Sequence, residues 1–293
     1  MLSAQSNETI LSIVIVNWNT RDYLLGALKS IYSTQQDIVF ETIVVDNLSY
    51  DGSADSVRSG YPQVKLIANT ENSGYAKGNN QGIEAATGQF ILLLNPDVVV
   101  PNNALSGAAD YLRKHPEAGA LGVRLVNPDG STQRSVRGFP TPLAVFCEAT
   151  GLSRIFSGSR IFGAYRMTWF TYEEPAEVDQ PMGTFLLIPR QTMEQVGLLD
   201  ERFPIFFNEV DWCFRARKAG WKILYMPDIK IVHYGGGSTK QVKPKMAWES
   251  RRGLLDFYRK HYPSPMFAPV FWLAVVGSWV QAKIVSSRRT HGQ

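Results

Sequence analysis

Short apolar runs alternate with segments of helical periodicity through the first 125 residues of the chain. ILSIVIVNW and ETIVVDN are β-branched and nearly continuous in apolar character, which is typical of buried strands, and VKLIAN and QFILLLN predict two more. Between and after them, RDYLLGALKSIY, YAKGNNQGIEAA and NNALSGAADYLRKH carry apolar residues at helical spacing. The alternation predicts an α/β fold, Rossmann-like, with a mostly parallel sheet and helices on both faces.

The pattern changes in the second half of the chain. Residues 127–180 are irregular and rich in aromatic side chains, and they contain hairpin-like stretches. After them, GTFLLIPR, WKILYMP and IKIVHY each predict a strand, and EVDWCFRARKAG predicts a helix that ends at Gly220. MAWESRRGLLDFYRKHY predicts a basic amphipathic helix. We predict one domain over residues 1–262, with halves at about 10–126 and 127–262, and a separate C-terminal segment at 263–293.

Charge sets this C-terminal region apart. Residues 240–293 hold 10 Lys/Arg against two Asp/Glu, a net charge of +8, whereas residues 1–239 carry a net charge of −4. Such a basic tail suggests a polyanionic partner, either nucleic acid or an anionic membrane. The sequence shows no nucleic-acid motif, so no nucleic-acid partner is predicted.

The apolar run MFAPVFWLAVVGSWV, residues 266–280, is shorter than the roughly 20 residues that span a bilayer. Its tryptophans and basic flank predict a helical segment that associates with the membrane interface. The alternative is an element packed on the protein's own core or on a second subunit of a homodimer. The N-terminus lacks a secretory signal, and the two cysteines match no metal or redox spacing, which favours a cytoplasmic protein.

Polar residues follow each of the first four predicted strands. They are Asn17 and Asn19, then Asp46 and Asn47, then residues 69–72, then Asn95 and Asp97. Ligands of open α/β sheets collect outside the carboxyl ends of the parallel strands, so these positions predict a pocket. Neither a P-loop nor a G-x-G-x-x-G fingerprint is present, and NWNTRDY lacks the Gly-rich basic loop typical of nucleotidyltransferases.

A series of motifs, in order and at the expected spacing, resembles the inverting glycosyltransferases of family 2, which have the GT-A fold. They are SIVIVNWN, TIVVDNLSYDGS, NTENSGYAKGNNQG, LLLNPDVVV, GTFLLIPR, NEVDWCFRARKAGW and HYGGGST. The resemblance covers about residues 10–262 and is strongest to bacterial rhamnosyltransferase-like members that build surface polysaccharides. It implies that residues 10–126 bind a nucleoside-diphosphate sugar and that residues 127–262 complete the catalytic and acceptor side.

The resemblance implies a divalent cation, Mg²⁺ or Mn²⁺, on the donor diphosphate. The family's D-x-D motif is Asn95-Pro96-Asp97 here, so an amide replaces the first acid and Asp97 carries the metal binding. A histidine at the place of His233 meets the same cation in the family. One or two protein oxygens or nitrogens are sufficient when phosphate completes the coordination. The alternative is that Asn-Pro-Asp only turns the chain.

The resemblance places the general base at Glu209, with Asp211 as the alternative. The two acids lie about 200° apart around a helix, so they cannot both face one pocket. Asn208 replaces the first acid of the family run and is predicted to cap this helix, where acids in the first turn also stabilise the dipole.

The remaining donor contacts are assigned by family position. The predicted nucleotide-binding residues are Asn17, Asn19, Asp46, Asp51, Asn72, Gly74, Lys77, Asn80, Asn95, Ser238, Thr239 and Lys240. Several of these asparagines have the alternative role of turn formers. Gly183 and Thr184 resemble a segment that lines the acceptor side.

The implied reaction is a single displacement that inverts the anomeric centre. Its acceptor is a hydroxyl of a glycan or of a lipid-diphosphate at the cytoplasmic face of the membrane, and rhamnose from a thymidine donor is the first expectation. A catalytically inactive sugar-nucleotide-binding homologue is the alternative, because amides replace acids at Asn95 and Asn208.

Overall fold

The computed structural model describes residues 9–34, 37–236 and 243–264. Within these ranges the strands are β1 (Leu11–Asn17), β2 (Phe40–Asp46), β3 (Lys65–Ala68), β4 (Phe90–Leu94), β5 (Val98–Val99), β6 (Ala118–Val126), β7 (Val136–Arg137), β8 (Ala176–Glu177), β9 (Gln180–Pro181), β10 (Phe185–Pro189) and β11 (Lys222–His233). The helices are α1 (Arg21–Thr34), α2 (Ser53–Gly60), α3 (Tyr75–Ala85), α4 (Ala104–Lys114), α5 (Pro142–Thr150), α6 (Leu152–Ile155), α7 (Arg190–Val196), α8 (Asn208–Lys218) and α9 (Lys243–His261).

The main sheet joins both halves of the chain. Its strand order is β3-β2-β1-β4-β10-β6-β11-β5, and β8 also pairs with β11. Strands β3, β2, β1, β4, β6 and β11 run in one direction, whereas β10, β5 and β8 run in the other. The expected α/β architecture with a mixed, mostly parallel sheet is therefore confirmed. Strands β7 and β9 form a separate two-stranded sheet.

Helices cover both faces of this sheet, and β1 shows how. Leu11, Ile13 and Ile15 belong to a core that includes apolar residues of α1, α2 and α4. Val14 and Val16, on the alternate positions, belong to the opposite core with residues of α3 and α8. The nearly continuous apolar run of β1 follows directly, because a strand covered on both faces has no polar side.

Helix α3 lies unusually close to β1 because of two glycines four residues apart. A Cβ on Gly78 would lie 2.9 Å from a methyl of Val16, and one on Gly82 would lie 2.3 Å from a methyl of Val14. Positions four apart share one helix face, so the two glycines form a flat strip against the strand. This packing places the start of α3 beside the carboxyl ends of β1 and β2.

The prediction of two strands in WKILYMP and IKIVHY is wrong. The structure has one strand, β11, whose register against β6 shifts between Met226 and Lys230. Pro227 lies inside this shift, and a proline has no N–H for the ladder, so the irregularity appears in sequence as a break. The continuous strand carries His233 to the same edge of the sheet as the end of β4.

Candidate active site

The carboxyl ends of β1 and β2 form a hydrogen-bonded corner. Asn17 and Asp46 are register partners, and Asn17 Nδ2 donates to Asp46 Oδ1 at 2.8 Å. The backbone N–H and hydroxyl of Ser49 donate to the same carboxylate at 2.9 and 2.7 Å. Thr20 Oγ1 donates to Asn17 Oδ1 at 2.6 Å. The two predicted nucleotide-binding residues are thus brought together, and internal bonds hold both rigidly.

Asn19 and Asp51 organise the loops above this corner. Asn19 adopts a left-handed backbone with φ of 52°, and its Oδ1 accepts from the Tyr50 N–H at 2.8 Å. Asp51 accepts from the backbone N–H groups of Arg21 at 2.8 Å and Ser53 at 3.0 Å, at the starts of α1 and α2. Burial alone would raise the pKa of Asp51, but these hydrogen bonds outweigh it and lower the pKa. Asp51 therefore caps two helices at once.

The first turn of α3 is bound by the segment that leads to α8. The N–H groups of Tyr75 and Ala76 donate to the Pro204 carbonyl at 2.6 and 3.1 Å. Gly74 has φ of 89°, and a Cβ there would lie 2.9 Å from the same carbonyl oxygen. Only glycine suits this position, because the backbone is left-handed and the carbonyl approaches closely.

Three further predicted donor-binding residues lie around this turn. Asn72 Oδ1 accepts from the Gly74 N–H at 3.1 Å, and the Lys77 ammonium lies 3.8 Å from a carboxylate oxygen of Glu71. Asn80 is buried, and its amide both donates to and accepts from the backbone of Leu199, at 2.9 and 3.0 Å. Asn80 thus ties α3 to the chain before α8.

Asn95 joins the end of β4 to the start of β10. Its backbone N–H donates to the Thr184 carbonyl at 3.0 Å, and its Nδ2 donates to Thr184 Oγ1 at 3.2 Å. The Tyr75 hydroxyl lies 3.1 Å from Asn95 Oδ1 and 3.2 Å from the Gly183 carbonyl. The amide at the first position of the Asn-Pro-Asp turn is therefore bound on both sides by protein groups.

Tyr75 links the two carboxylates of interest. Burial raises the pKa of its hydroxyl well above the ordinary value, and the negative charges of Glu209 and Asp97 raise it further. Both carboxylates therefore lie within electrostatic range of one partly buried phenol, which stays protonated and acts as a hydrogen-bond donor. Sequence analysis did not select Tyr75, since an aromatic residue at a helix start is most simply a core residue.

The two predicted metal ligands lie together. His233 Nε2 is 3.4 Å from Asp97 Oδ1, and both side chains are nearly buried, at 8% and 6% exposure. The β5–β11 pairing produces this contact, because it sets His233 opposite Val98, the residue after Asp97. The Tyr234 N–H also donates to the Asp97 carbonyl at 2.9 Å.

Gln133 determines how His233 presents its ring. Gln133 Nε2 donates to the His233 carbonyl at 2.7 Å and to Asn127 Oδ1 at 2.8 Å, so this atom must be the NH₂ group. Its Oε1 then faces His233 Nδ1 at 2.8 Å, which requires Nδ1 to carry the proton. With Nδ1 as the donor, Nε2 is the ring atom that faces the Asp97 carboxylate, and its lone pair would be available to a cation bound between them.

Glu209 occupies the first turn of α8 and packs over Gly183. A Cβ on Gly183 would lie 3.5 Å from Cβ and Cγ of Glu209, so the carboxylate shares this glycine with Tyr75. Burial raises the pKa of Glu209, although the N–H groups of Glu209 and Gly183 partly oppose the rise. The side chain keeps partial contact with solvent. A carboxylate with a raised pKa in a partly open site has the properties of a general base.

Asn208 does not cap α8 as the sequence predicts. The capping position belongs to Phe207, which has a left-handed φ of 67° and makes no side-chain bond to the helix. Asn208 instead is the first helical residue and is 1% exposed. Neither its Nδ2 nor its Oδ1 has a hydrogen-bond partner within the described part of the chain. A buried amide of this kind beside Glu209 retains its full capacity to bind a polar group.

Asp211 lies in a different environment from Glu209. It is fully buried under α9, where its carboxylate accepts from Arg215 Nε at 2.8 Å, Lys260 Nζ at 2.6 Å and His261 Nε2 at 2.7 Å. Burial alone would raise the pKa of Asp211, but the bonds from His261, Lys260 and Arg215 outweigh it and lower the pKa. Its lone pairs are occupied, and the geometry favours Glu209 over Asp211 as a proton acceptor.

Two predicted regions fall outside the described residues. Ser238, Thr239 and Lys240 lie in one of them, residues 237–242, and the other, residues 265–293, contains the apolar run expected at the membrane. Among the described helices, none has both the length and the apolar character that a bilayer crossing requires.

Comparison with known proteins agrees with the geometry of this sheet edge. The model of the family described as Glycosyl transferase family 2 matches residues 12–174, more than half of the chain. The protein belongs to glycosyltransferase family 2. It is 29% identical over 244 residues to the N-acetylglucosaminyl-diphospho-decaprenol L-rhamnosyltransferase of Mycobacterium tuberculosis, covering 78% of each chain.

A second family 2 relative comes from an archaeon. The low-salt glycan biosynthesis hexosyltransferase Agl10 of Haloferax volcanii is 25% identical over 229 residues, which cover 76% of this chain and 66% of that protein.

Solved structures confirm the GT-A-like fold of this family 2 glycosyltransferase. The mannosyltransferase PcManGT of Pyrobaculum calidifontis, in complex with GDP-Man and Mn²⁺, aligns with a TM-score of 0.59 and 17% identity over 98% of this chain and 76% of that one. GalNAc-T7, with UDP, GalNAc and Mn²⁺, aligns with a TM-score of 0.57 and 17% identity. The match covers 78% of this chain but only 44% of GalNAc-T7.

The residues at the sheet edge fit a divalent cation held in part by its substrate. Asp97 and His233 supply one carboxylate and one imidazole, and no cluster of three or more His, Cys, Asp or Glu ligands occurs in the described residues. A hard cation commonly keeps only one or two protein ligands when phosphate oxygens and water complete its shell. The orientation of His233 Nε2 toward Asp97 agrees with this role.

Proposed function

We propose that the protein is an inverting, metal-dependent family 2 glycosyltransferase with Glu209 as its general base. The observation that carries the proposal is the single site around Tyr75 and Gly183. There, Glu209 packs on Gly183, and the Tyr75 hydroxyl lies 3.2 Å from the Gly183 carbonyl and 3.1 Å from Oδ1 of Asn95, two residues before Asp97. One carboxylate is free to accept a proton, and the other lies beside His233 at 3.4 Å, where a donor diphosphate would be held.

Glu209 accepts the proton of the acceptor hydroxyl while that oxygen attacks the anomeric carbon of the donor sugar. Attack from the face opposite the diphosphate inverts the anomeric centre, so no covalent sugar–enzyme intermediate forms. A divalent cation on Asp97 and His233 would neutralise the charge that develops on the nucleoside diphosphate. The raised pKa of Glu209 increases its basicity, and the Asn95 and Tyr75 contacts keep β4 and β10 in place.

The donor side is assigned to the strand ends of the first half. The proposed contacts are Asn17, Asn19, Asp46, Asp51, Asn72, Gly74, Lys77, Asn80 and Asn95, together with Ser238, Thr239 and Lys240, which lie outside the described residues. Asp51 and Asn80 act through the loops and helices that they hold, since their polar atoms bind the backbone. The likeness to a mycobacterial L-rhamnosyltransferase supports rhamnose as the donor sugar, and a glycan or lipid-diphosphate as the acceptor in polysaccharide synthesis.

A second candidate, an inactive sugar-nucleotide-binding homologue, rests on a specific observation. Asn95 and Asn208 stand where the family carries acids, and both side chains are placed inside the site region. Such a protein would bind the donor without transferring the sugar. The two candidates therefore differ in turnover and agree in binding.

The test combines donor binding with turnover. A thermal-shift screen of nucleoside-diphosphate sugars with Mn²⁺ identifies the donor, because a ligand of the native state raises Tm by mass action. Metal-dependent release of nucleoside diphosphate with the identified donor then separates the candidates. Release that Asp97→Ala and Glu209→Gln each abolish supports the transferase, whereas a donor-dependent Tm shift without any release supports the inactive homologue.

We also propose that the enzyme works at the cytoplasmic face of the membrane through its basic C-terminus. The support is the net charge of +8 over residues 240–293 together with the aromatic-rich run at 266–280. Deletion of residues 265–293 is expected to move the protein from the membrane to the soluble fraction while donor binding persists. Unchanged partitioning would refute this part of the proposal. Homodimer formation through the same segment is the alternative outcome and is measured by light scattering.

A further inference from the structure

A tandem repeat in the second half of the chain forms an exposed apolar and basic surface. The sequence SRIF occurs twice, at residues 153–156 and 159–162, separated by Ser157 and Gly158. We call the Arg, Ile and Phe residues of both copies the SRIF surface. Its members are Arg154, Ile155, Phe156, Arg160, Ile161 and Phe162. This repeat is not among the motifs that carry the family resemblance.

The apolar side chains of this surface are displayed by an ordered framework. Ile155, Phe156 and Ile161 are 71%, 48% and 61% exposed. The Phe156 N–H donates to the Leu152 carbonyl at 2.9 Å, and the Gly163 N–H donates to the Ser159 carbonyl at 2.9 Å. Single exposed apolar residues are ordinary on protein surfaces, but a cluster held in place by backbone bonds indicates an interaction site.

The two phenylalanines make the surface continuous. The rings of Phe156 and Phe162 are 5.2 Å apart, so the two SRIF copies meet through their aromatic residues. On the neighbouring helix α5, Leu143 and Phe146 are 54% and 37% exposed and lie three positions apart, on one helix face. The exposed apolar area therefore extends beyond the repeat itself.

The charge of the segment is entirely positive. Residues 149–172 contain three arginines and no aspartate or glutamate. Arg154 and Arg160 are exposed, and neither forms an ion pair with any described carboxylate. Arg160 lies over the Trp169 ring at 4.9 Å, which directs its charge along an aromatic face. Exposed Ile and Phe flanked by unpaired arginines are the composition of a segment that enters the boundary between headgroups and acyl chains.

The SRIF surface adjoins the side of the site where the base lies. Tyr165, three residues after the repeat, has a pKa that burial raises and that the charge of Glu209 raises further. The Tyr165 carbonyl accepts from the Gly138 N–H at 3.0 Å, and Arg166 pairs with Glu148 of α5 at 2.6 Å. These contacts fix the segment between α5 and the active site. Gly138 follows β7, which pairs with β9, and β9 leads within two residues to Gly183, on which Glu209 packs.

We propose that the SRIF surface inserts into the interface of an anionic membrane and presents the acceptor side of the site to the bilayer. The occupant is a lipid surface of negative charge, because the unpaired arginines complement such headgroups and the isoleucines and phenylalanines suit the acyl boundary. A second copy of the chain would need an acidic apolar face in return. The inference deepens the proposed membrane-face transferase and rests on it, but it assigns contact to a region that is separate from residues 265–293.

The test uses the full chain with vesicles of phosphatidylcholine, with and without phosphatidylglycerol. Hydrogen exchange is expected to slow at residues 151–163 only when the anionic lipid is present. The variant Ile155→Ser/Phe156→Ser/Ile161→Ser is expected to lose this protection, and its vesicle affinity should fall at least tenfold. The variant Arg154→Gln/Arg160→Gln should bind about thirtyfold more weakly, because each basic residue near an anionic surface contributes about one factor of five.

A charge-matched control separates local contact from net charge. Arg58→Gln/Arg113→Gln removes two exposed arginines from α2 and α4, on the opposite side of the sheet, and is expected to change vesicle affinity less than threefold. Equal weakening in both arginine variants would overturn the proposal, as would vesicle protection confined to residues 265–293. Light scattering identifies a second copy as the occupant if the triple variant changes the oligomeric state and not vesicle binding, which also overturns it.

Failure of the SRIF proposal can be distinguished from failure of the proposed transferase activity. The donor-dependent Tm shift and the release of nucleoside diphosphate in the absence of membrane are measured on the same variants. Both are expected to equal the wild-type values, since no SRIF residue touches the donor site. Loss of vesicle protection with normal donor turnover supports the SRIF surface, and normal protection without donor turnover would refute only the transferase.

Discussion

Polar residues have different hydrogen-bonding environments at the strand ends of the first half and in the elements of the second half. Asp46 and Asp51 receive hydrogen bonds from neighbouring backbone and hydroxyl groups, and Asn17 is bound between Asp46 and Thr20. In the second half, Glu209 has a raised pKa, the Asn208 side chain has no described partner, and His233 Nε2 faces the Asp97 carboxylate. In the first region, the polar side chains hold loops in place through hydrogen bonds. In the second, several polar groups can still bind a ligand or accept a proton.

The largest expected effect follows from the open carboxylate. Glu209→Gln should lower kcat by about 10² to 10⁴, the range that a positioned general base contributes, while the donor-dependent Tm shift remains. Glu194→Gln, an exposed acid on α7, serves as the control and should retain wild-type turnover. Substantial turnover in Glu209→Gln would remove the assigned base and with it the contrast between the two regions.

The raised pKa of Glu209 also sets a pH dependence. A base acts only when ionised, so kcat/KM should rise with pH through the pKa of Glu209 in the free enzyme. Because burial raises that pKa, the acid limb should lie above 4.5, the ordinary value for a glutamate. A limb at or below this value would contradict the buried environment of Glu209.

Asp211 differs from Glu209 and Asn208 of the second half because its carboxylate is fully hydrogen-bonded. Its loss should therefore lower stability more than it lowers turnover. Asp211→Ala leaves Arg215, Lys260 and His261 without their shared carboxylate and should cost about 3–5 kcal/mol in the free energy of unfolding, measured with urea.

The pH dependence of this stabilisation has a definite sign. The pKa of Asp211 is lowered from 3.8 in the folded state, so its contribution is complete above that value and is lost as pH falls through the folded pKa. The stability difference between wild type and variant should therefore shrink in acid. A constant difference from pH 7 to pH 3 would argue against the cluster.

Substitution of Gln133 should have an intermediate effect, and it tests whether His233 is a metal ligand. Gln133→Leu removes the acceptor of the His233 Nδ1 proton and should weaken Mn²⁺ binding about 10- to 100-fold in an electron paramagnetic resonance titration. Without metal, ¹⁵N chemical shifts should show protonated Nδ1 in the wild type and a tautomer mixture in the variant. Gln195→Leu, at the exposed Trp221 contact, is the control. Unchanged tautomer and affinity would show that Gln133 does not orient the ring.

The smallest effect is expected from the helix cap of the first half. Asp51→Ala removes the acceptor at the starts of α1 and α2 and should cost about 1–2 kcal/mol of stability, with a modest rise in KM for the donor. Asp55→Ala, whose carboxylate pairs with Arg58 on the surface of α2, should cost less. If Asp51→Ala abolishes donor binding at unchanged stability, Asp51 contacts the donor directly and does more than hold the starts of α1 and α2.

Local pattern explains which features could be read from the chain. The strands β1, β2, β3 and β4 and the helices α1 and α3 follow from apolar periodicity, which depends on near neighbours only. The short helix α2 between β2 and β3 was not predicted. The sequence predicted two strands where the structure has one, β11. Pro227 looks like a break in the sequence, but pairing with β6 on both sides of it continues the strand. The cap of α8 was predicted wrongly because the chain enters the helix through the left-handed backbone of Phe207, which makes Asn208 the first helical residue.

The sequence by itself determined the order of elements, the family and the polar edge of the sheet, since these depend on residue type and spacing along the chain. Only the tertiary structure distinguished Glu209 from Asp211, because that difference depends on burial and on cations contributed by α9, about 50 residues away. It also paired His233 with Gln133 across 100 residues. Desolvation and hydrogen-bond geometry are properties of the folded environment, and no local pattern encodes them.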